Sequence, residues 1–359
     1  MGIAKTTVSS LECTSDIGAL AINAVGSIEG YNFSFCGLML PHSPRFISES
    51  LRTVFKLVTL RNVEGSGDLN REVSMVYRLN KDVGVIGSGL TYVKSPFRNG
   101  MAYNVYITDG FTRVGSIYVD VETLISPFIG YAGSIKGFRA SKIANDDSIL
   151  LMGISYCYGS RVYRLLLGEV ADGVSSLSRG YYASSEAIKS FAEGIIKYIY
   201  LESELTPETV YKIYRETAEY VLKLNLANNS LTATTFTAIV YPVMGKAIFV
   251  HVGDTRIYYF SGSELRRLTE DDRVEGTSAL TKAIGIRVDE PAMGSINFNV
   301  GDTFVLLSDG VYNVVGENEI RGILSKIKNP YIAVKRILSL CEERRVKDDA
   351  SIGVVKRLM

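Results

Sequence analysis

Four aspartates stand at the ends of apolar, strand-like runs: Asp147 before Ser148 to Met152, Asp172 after Leu165 to Ala171, Asp309 after Phe304 to Ser308, and Asp348 before Ser351 to Val355. A carboxylate in that position projects from a sheet edge into a loop, where several can converge. Converging carboxylates repel one another unless a cation neutralises them, and magnesium, manganese and calcium prefer oxygen ligands. Glycine follows two of the four, giving Asp172-Gly173 and Asp309-Gly310. It permits close backbone approach, so that its carbonyl can serve as a further ligand. Asp-Gly is also a common turn dipeptide, and Asp109-Gly110 is read as such a turn. One pair alone says little; the set in its order says more.

The remaining chemistry-bearing residues leave few competing sites. The chain has only two histidines, His42 and His251, too few for a histidine-rich metal centre or a Ser-His-Asp triad. Its four cysteines (Cys13, Cys36, Cys157, Cys341) are scattered without a Cys-x-x-Cys pair, which argues against a zinc site or a disulfide framework. Any metal here must therefore sit on oxygen. Lys and Arg total 39 against 38 Asp and Glu, so no basic excess points to nucleic acid. The apolar stretch from Ile17 to Val25 is too short and too soon interrupted for a signal peptide or membrane span, and no other uncharged apolar run reaches about 18 residues. The expectation is a cytoplasmic, soluble protein with no membrane partner.

At 359 residues of ordinary globular composition, 47% hydrophobic and 21% charged, the chain suits one large domain plus a smaller one, or two medium domains. Before residue 130, short apolar runs between Gly, Asn, Asp and Pro read as strands: Leu20 to Val25, Tyr31 to Leu40, Val83 to Ile86, Tyr103 to Ile107 and Gly115 to Val121. One helix is expected from Ile47 to Leu60. Strands at Ser148 to Met152 and Val162 to Val170 lead into two helical patterns. The first, Ser184 to Tyr200, aligns Ala187, Phe191, Ile195 and Ile199 on one stripe. The second opens at Thr206-Pro207-Glu208-Thr209, where a capping threonine precedes proline at the first helical position. The period then changes to two, with strands at Thr235 to Tyr241, Lys246 to Val252, Arg256 to Phe260, Thr303 to Leu307 and Ser351 to Val355. Many short strands around two helices argue for sheets packed face to face with helices outside.

The order of the acidic motifs is where the chain resembles the type 2C, metal-dependent protein serine/threonine phosphatases. Lys142-Ile-Ala-Asn-Asp-Asp147-Ser is similar to the family's opening element. Val170-Ala-Asp172-Gly173, with Gly180 and Ala183-Ser184 downstream, follows its Asp-Gly element. Thr234-Thr235 and Val252-Gly253-Asp254-Thr255-Arg256 resemble the Thr-Thr strand and the Gly-Asp-Ser-Arg hairpin. Leu268-Thr269-Glu270-Asp271, Leu280-Thr281, Leu307-Ser308-Asp309-Gly310 and Asp348-Asp349-Ala-Ser351 complete the series. The likeness covers residues 131 to 359 and leaves residues 1 to 130 as a region of unknown role, regulatory or substrate-recruiting, with an α/β or mostly-β fold.

That resemblance implies an α+β fold, a four-layer α-β-β-α sandwich with two central antiparallel sheets and two manganese or magnesium ions at one end. Asp172 would bridge the ions, the Gly173 carbonyl would bind one, Asp309 and Asp348 the other, and Asp146 and Asp147 would act through water. Asp254 is a candidate for a weaker third ion. The implied reaction is hydrolysis of phosphoserine or phosphothreonine in a protein substrate by a hydroxide bridging the two ions.

Several positions depart from the family pattern. Lys142 stands where an arginine usually holds the phosphate, and offers a point charge in place of a bidentate fork; Arg139 and Arg179 are the nearby guanidinium groups able to compensate. Ser175 and Ser176 replace glycines, Asp349 replaces asparagine, and Asp272 stands where histidine is common. The flap segment, Asp272 to Ala279, is short. Two other readings stay open: a catalytically weak phosphatase-like scaffold that binds a partner, and a phosphatase of a small metabolite.

Overall fold

The computed structural model describes residues 20–39, 73–76, 85–90, 102–108, 113–120, 127–139, 144–158, 161–174, 177, 179–201, 205–229, 231–243 and 245–358. The expected helix from Ile47 to Leu60, the Asp109-Gly110 turn, Lys142, and Ser175 with Ser176 lie outside them.

In chain order the strands are β1 (Leu20–Ile28), β2 (Tyr31–Met39), β3 (Val73–Val76), β4 (Val85–Leu90), β5 (Ala102–Thr108), β6 (Arg113–Asp120), β7 (Phe128–Ile135), β8 (Asp147–Tyr158) and β9 (Arg161–Asp172). After helices α1 (Gly180–Leu201) and α2 (Pro207–Ala227) come β10 (Phe236–Pro242), β11 (Ala247–Val252), β12 (Arg256–Ser261), β13 (Glu264–Arg267), β14 (Ala292–Ile296) and β15 (Thr303–Leu307). Short helix α3 (Asp309–Tyr312), α4 (Glu317–Lys326) and α5 (Pro330–Glu343) precede β16 (Ala350–Arg357).

One sheet has the order β14-β11-β10-β9-β8-β1-β2 and a second the order β13-β12-β15-β16-β7. All their ladders are antiparallel. A third sheet, β3-β4-β5-β6, pairs only within itself among the described residues.

Period-two alternation explains the layers. On β8, Ile149 and Leu151 point into the core between the two large sheets, where they meet Leu166, Ile239, Phe304, Leu306 and Val355. Leu150 and Met152 point the other way, onto Phe191 and Ile195 of α1 and Ile213 and Tyr214 of α2. The second sheet buries its outer face, Tyr258, Val305, Leu307 and Ile352, under Val311 of α3, Ile320 of α4 and Val334 and Ile337 of α5. The result is the α-β-β-α sandwich.

Local signals set the helix starts. The Thr206 hydroxyl accepts the Thr209 N–H at 3.3 Å with Pro207 at the first helical turn, and Asn329 caps α5 in the same way, accepting from Tyr331 at 2.9 Å ahead of Pro330.

The sandwich takes in residues from before the boundary expected at 130. β1 pairs with β8 along its length, from Leu20 opposite Tyr156 to Ser27 opposite Ile149. Val25, 3% exposed, lies in the inter-sheet core, while Ala24 and Ile28 face the helical layer. Val25→Ala should therefore lower the stability of the whole sandwich by about 2 kcal/mol in a single thermal transition. A wild-type midpoint for the phosphatase-like core in that variant would show that β1 is not part of it.

Glu169 on β9 sits in the face turned to α1 and α2, opposite Leu150 and Ala238. It is fully buried, and neither carboxyl oxygen has a hydrogen-bond partner among the described residues. Burial pushes its carboxyl well above the ordinary glutamate range. The folded chain thus holds a proton that the unfolded chain releases, and this contribution to stability is lost as pH rises from the ordinary glutamate range through the folded value. The slope is at most about 1.4 kcal/mol per pH unit. Glu169→Gln should flatten the stability profile on that side, read by urea unfolding at successive pH values.

Candidate active site

The acidic cluster forms where β8 and β9 begin and end together. Asp147 opens β8 and Asp172 closes β9, and the two are directly opposite in the ladder. Asp309 arrives from the second sheet as the first residue of α3, immediately after β15, and Asp348 precedes β16. Each aspartate stands where a strand meets a loop, so the loops of both sheets meet at one end of the sandwich.

Backbone crossings hold this junction. Gly173 donates its N–H to the Asp146 carbonyl at 3.1 Å, Val174 donates to Ala233 at 2.8 Å, and Thr235 donates to the Asp172 carbonyl at 2.9 Å. The Asp172 N–H in turn donates to the Thr235 hydroxyl at 2.8 Å. The Thr234-Thr235 pair therefore clamps the end of β9. Gly173 and Gly180 touch backbone to backbone: a Cβ on Gly173 would lie 2.3 Å from the Gly180 carbonyl.

The electrostatics show convergence. Burial pushes the Asp172 carboxyl well above the usual carboxylate range, and the facing charges of Asp147, Asp309, Asp254 and Asp348 push it further. Burial likewise raises Asp254, to about 6, with Arg273 pulling it down and Asp309 pushing it back. The Ser308 hydroxyl donates to Asp147 Oδ2 at 2.6 Å.

Among the described residues no three acidic, histidine or cysteine side chains already close on a single point. Instead Arg273 donates to both Asp254 and Asp309, the latter at 2.9 Å. The donor set still suits divalent cations: it is all oxygen, and Asp172 carries the repulsion of four neighbouring carboxylates that a cation would relieve.

The sequence-derived residues divide into groups. Asp147, Asp172, Asp254, Asp309 and Asp348 share one electrostatic neighbourhood, and Gly173 adjoins it. Asp146 takes a different part: its carboxylate accepts the Tyr181 N–H at 2.9 Å, capping the N-terminus of α1, where negative charge is favoured. Arg139 and Arg179 are exposed, with Arg179 in the left-handed region just ahead of α1.

Two departures from the family pattern prove to be structural. Asp349 does not face solvent. It is 1% exposed and accepts the N–H groups of Gly137 at 2.9 Å and Asp146 at 2.6 Å. Asp272 accepts the Gly253 N–H at 3.0 Å and pairs with Lys282 at 3.0 Å, fixing the Gly253-Asp254 hairpin.

Sequence reasoning missed Arg273, and the available signal was a lone arginine within Glu270-Asp271-Asp272-Arg273-Val274-Glu275. It also passed over the supports of this loop. His251 bridges the Thr237 hydroxyl at 2.7 Å and the Glu270 carbonyl at 2.8 Å; Arg256 grips Asp271 with two bonds of 2.9 and 2.6 Å.

A protein phosphatase 2C family model matches residues 139–339, more than half of the chain. The chain belongs to the protein phosphatase 2C family. It is 28% identical to probable protein phosphatase 2C 44 of Oryza sativa subsp. japonica over a 183-residue alignment spanning 42% of this chain and 56% of that protein. It is also 28% identical to protein phosphatase PhpP of Streptococcus pneumoniae over 99 residues, 22% of this chain and 40% of that one. The chain thus spans only about half the length of these curated relatives.

Among solved structures it resembles the serine/threonine phosphatase PstP/Ppp of Mycobacterium tuberculosis, with a TM-score of 0.54 at 20% identity over 65% of this chain and 99% of that one. The catalytic domain of PstP solved with two manganese ions gives a TM-score of 0.52 at 20% identity, covering 65% and 99%. The serine/threonine phosphatase of S. agalactiae gives 0.53 at 21% identity, covering 64% and 99%. These likenesses establish the shared sandwich fold.

Proposed function

We propose that this chain hydrolyses phosphoserine and phosphothreonine in protein partners with the help of two divalent cations, manganese or magnesium. The observation that carries this reading is the meeting of Asp147, Asp254, Asp309 and Asp348 around Asp172 at one end of the sandwich, in a member of the protein phosphatase 2C family. A PstP catalytic domain of the same fold was solved with two manganese ions.

Asp172, the Gly173 carbonyl, Asp309 and Asp348 are the proposed holders of the ions, with Asp146 and Asp147 beside them. When bound, two such cations supply water activation near neutral pH and neutralise charge that gathers on the transferred phosphoryl group. The chain's own part is positioning. The ladder pair Asp147 and Asp172 and the Thr234-Thr235 clamp fix one side of the cluster. The Ser308 hydroxyl orients Asp147. Lys142 is the proposed phosphate contact.

The test is phosphate release from an aryl phosphate and from a phosphothreonine peptide, with manganese and with chelator. Release that requires manganese and favours the peptide over a panel of phosphorylated metabolites is expected. Folded protein that releases nothing from either substrate with manganese present would overturn the proposal.

A further inference from the structure

The loop after Asp272 is a closed hairpin. Arg273 bridges to Leu280, Val274 donates to the Ala279 carbonyl at 2.8 Å, and Thr277 donates to Val274 at 3.0 Å. Its root is riveted to the Gly253-Asp254 turn from both sides. Asp272 donates its N–H to the Gly253 carbonyl at 2.7 Å, and its carboxylate accepts the Gly253 N–H. From this root Arg273 sends its guanidinium to Asp254, 4% exposed, and onward to Asp309 Oδ2 at 2.9 Å. The Tyr312 hydroxyl donates to the Asp254 carbonyl at 3.1 Å, and its ring carries the Arg256 guanidinium at 3.5 Å with that of Arg273 6.0 Å away.

We propose that Arg273 is a built-in cation: its guanidinium takes the place between Asp254 and Asp309 that a third divalent ion would need, so the chain binds two ions and no third. This rests on the two-ion reading above. Two properties favour the guanidinium over a free ion. Its planar fork reaches two carboxylates at once. It is tethered by a hairpin whose root is already hydrogen-bonded to the Asp254 turn, so little further order is lost when it binds. A weakly held ion, drawn from solution and reluctant to shed its water, competes poorly with such a group. Asp254 is therefore a partner of Arg273 and not an ion ligand.

Manganese bound per chain, counted by equilibrium dialysis with mass spectrometry of the metal, decides the matter. Wild type and Asp254→Asn should each bind about two ions, and Arg273→Met about three. The double variant Arg273→Met/Asp254→Asn should return to about two, and Arg273→Lys should match wild type. Loss of an ion in Asp254→Asn alone, or a folded Arg273→Met with the wild-type count, would overturn the proposal. Near-UV circular dichroism reports whether Arg273→Met is folded; if it is not, the Asp254→Asn count decides alone. A wild type that binds no manganese would sink the two-ion reading, whereas an ion gained in Arg273→Met and lost again in the double variant would still support the role given to Arg273.

Discussion

Asp172→Asn should abolish manganese-dependent phosphate release, by on the order of a thousandfold or more, while making the metal-free protein harder to unfold. The loss follows from taking away the carboxylate on which the cluster is centred, since metal assistance supplies several kcal/mol of barrier lowering and each tenfold in rate is about 1.4 kcal/mol. The gain follows from the same geometry. Without cations, Asp172 is a half-buried carboxylate held among Asp147, Asp309, Asp254 and Asp348, all of which raise its proton affinity. An amide of the same shape ends that repulsion, so the thermal midpoint in chelator should rise by a few degrees. Excess manganese should reverse the order, because wild type alone gains stability from tight binding. A variant that kept wild-type turnover would remove Asp172 from the catalytic centre. One that lost both turnover and stability in chelator would show that the side chain braces the fold and is not a strained ligand.

Such opposition between stability and activity explains why the cluster was legible in the sequence. Nothing in folding alone favours aspartates at the ends of β8, β9, β15 and β16 that face one another, so their recurrence beyond period-two strands marks chemistry. The strands and the first two helices were legible for a local reason: the apolar runs of β8 and β9, the period-two strands after α2, the stripe on α1 and the Thr206-Pro207 start of α2 are each contained in a short stretch of chain. Helices α4 and α5 carry a comparable but shorter signal in Ile320 and Leu324, and in Val334, Ile337 and Cys341 behind Asn329-Pro330. Pairing between distant strands was not legible. That β1 lies against β8, more than a hundred residues away, is decided by burial of Val25 between the sheets, which no local pattern states. The same limit hid the roles of charged side chains. Asp349 and Asp348 are adjacent and identical in type, yet one is buried on backbone N–H groups and the other adds to the charge around Asp172. Arg273 could be seen as an arginine among acids but not as the group joining Asp254 to Asp309.

Gly173→Ala should cost on the order of 3 kcal/mol of stability and nearly all of the activity, a larger effect than its single methyl group suggests. The new Cβ would lie 2.3 Å from the Gly180 carbonyl carbon and oxygen and 2.8 Å from the Asp146 carbonyl oxygen. All three are backbone atoms, so no side chain can rotate away. They belong to two residues that brace the cluster: Gly180 begins α1, and Asp146 caps that helix through the Tyr181 N–H while its carbonyl accepts the Gly173 N–H. Whichever segment yields, Asp172 moves relative to Asp147, and a displacement of about 1 Å in such a constellation can cost a hundredfold in rate. Gly322 in α4 is the contrasting case, since a Cβ there meets nothing within 4 Å. Gly322→Ala should stabilise the chain by about 0.5–1 kcal/mol through helix propensity and leave turnover unchanged. Thermal unfolding and aryl phosphate hydrolysis on both variants separate the two behaviours. If Gly173→Ala unfolded at the wild-type temperature with wild-type turnover, the crossing of β9 and α1 would not be what holds Asp172 in place.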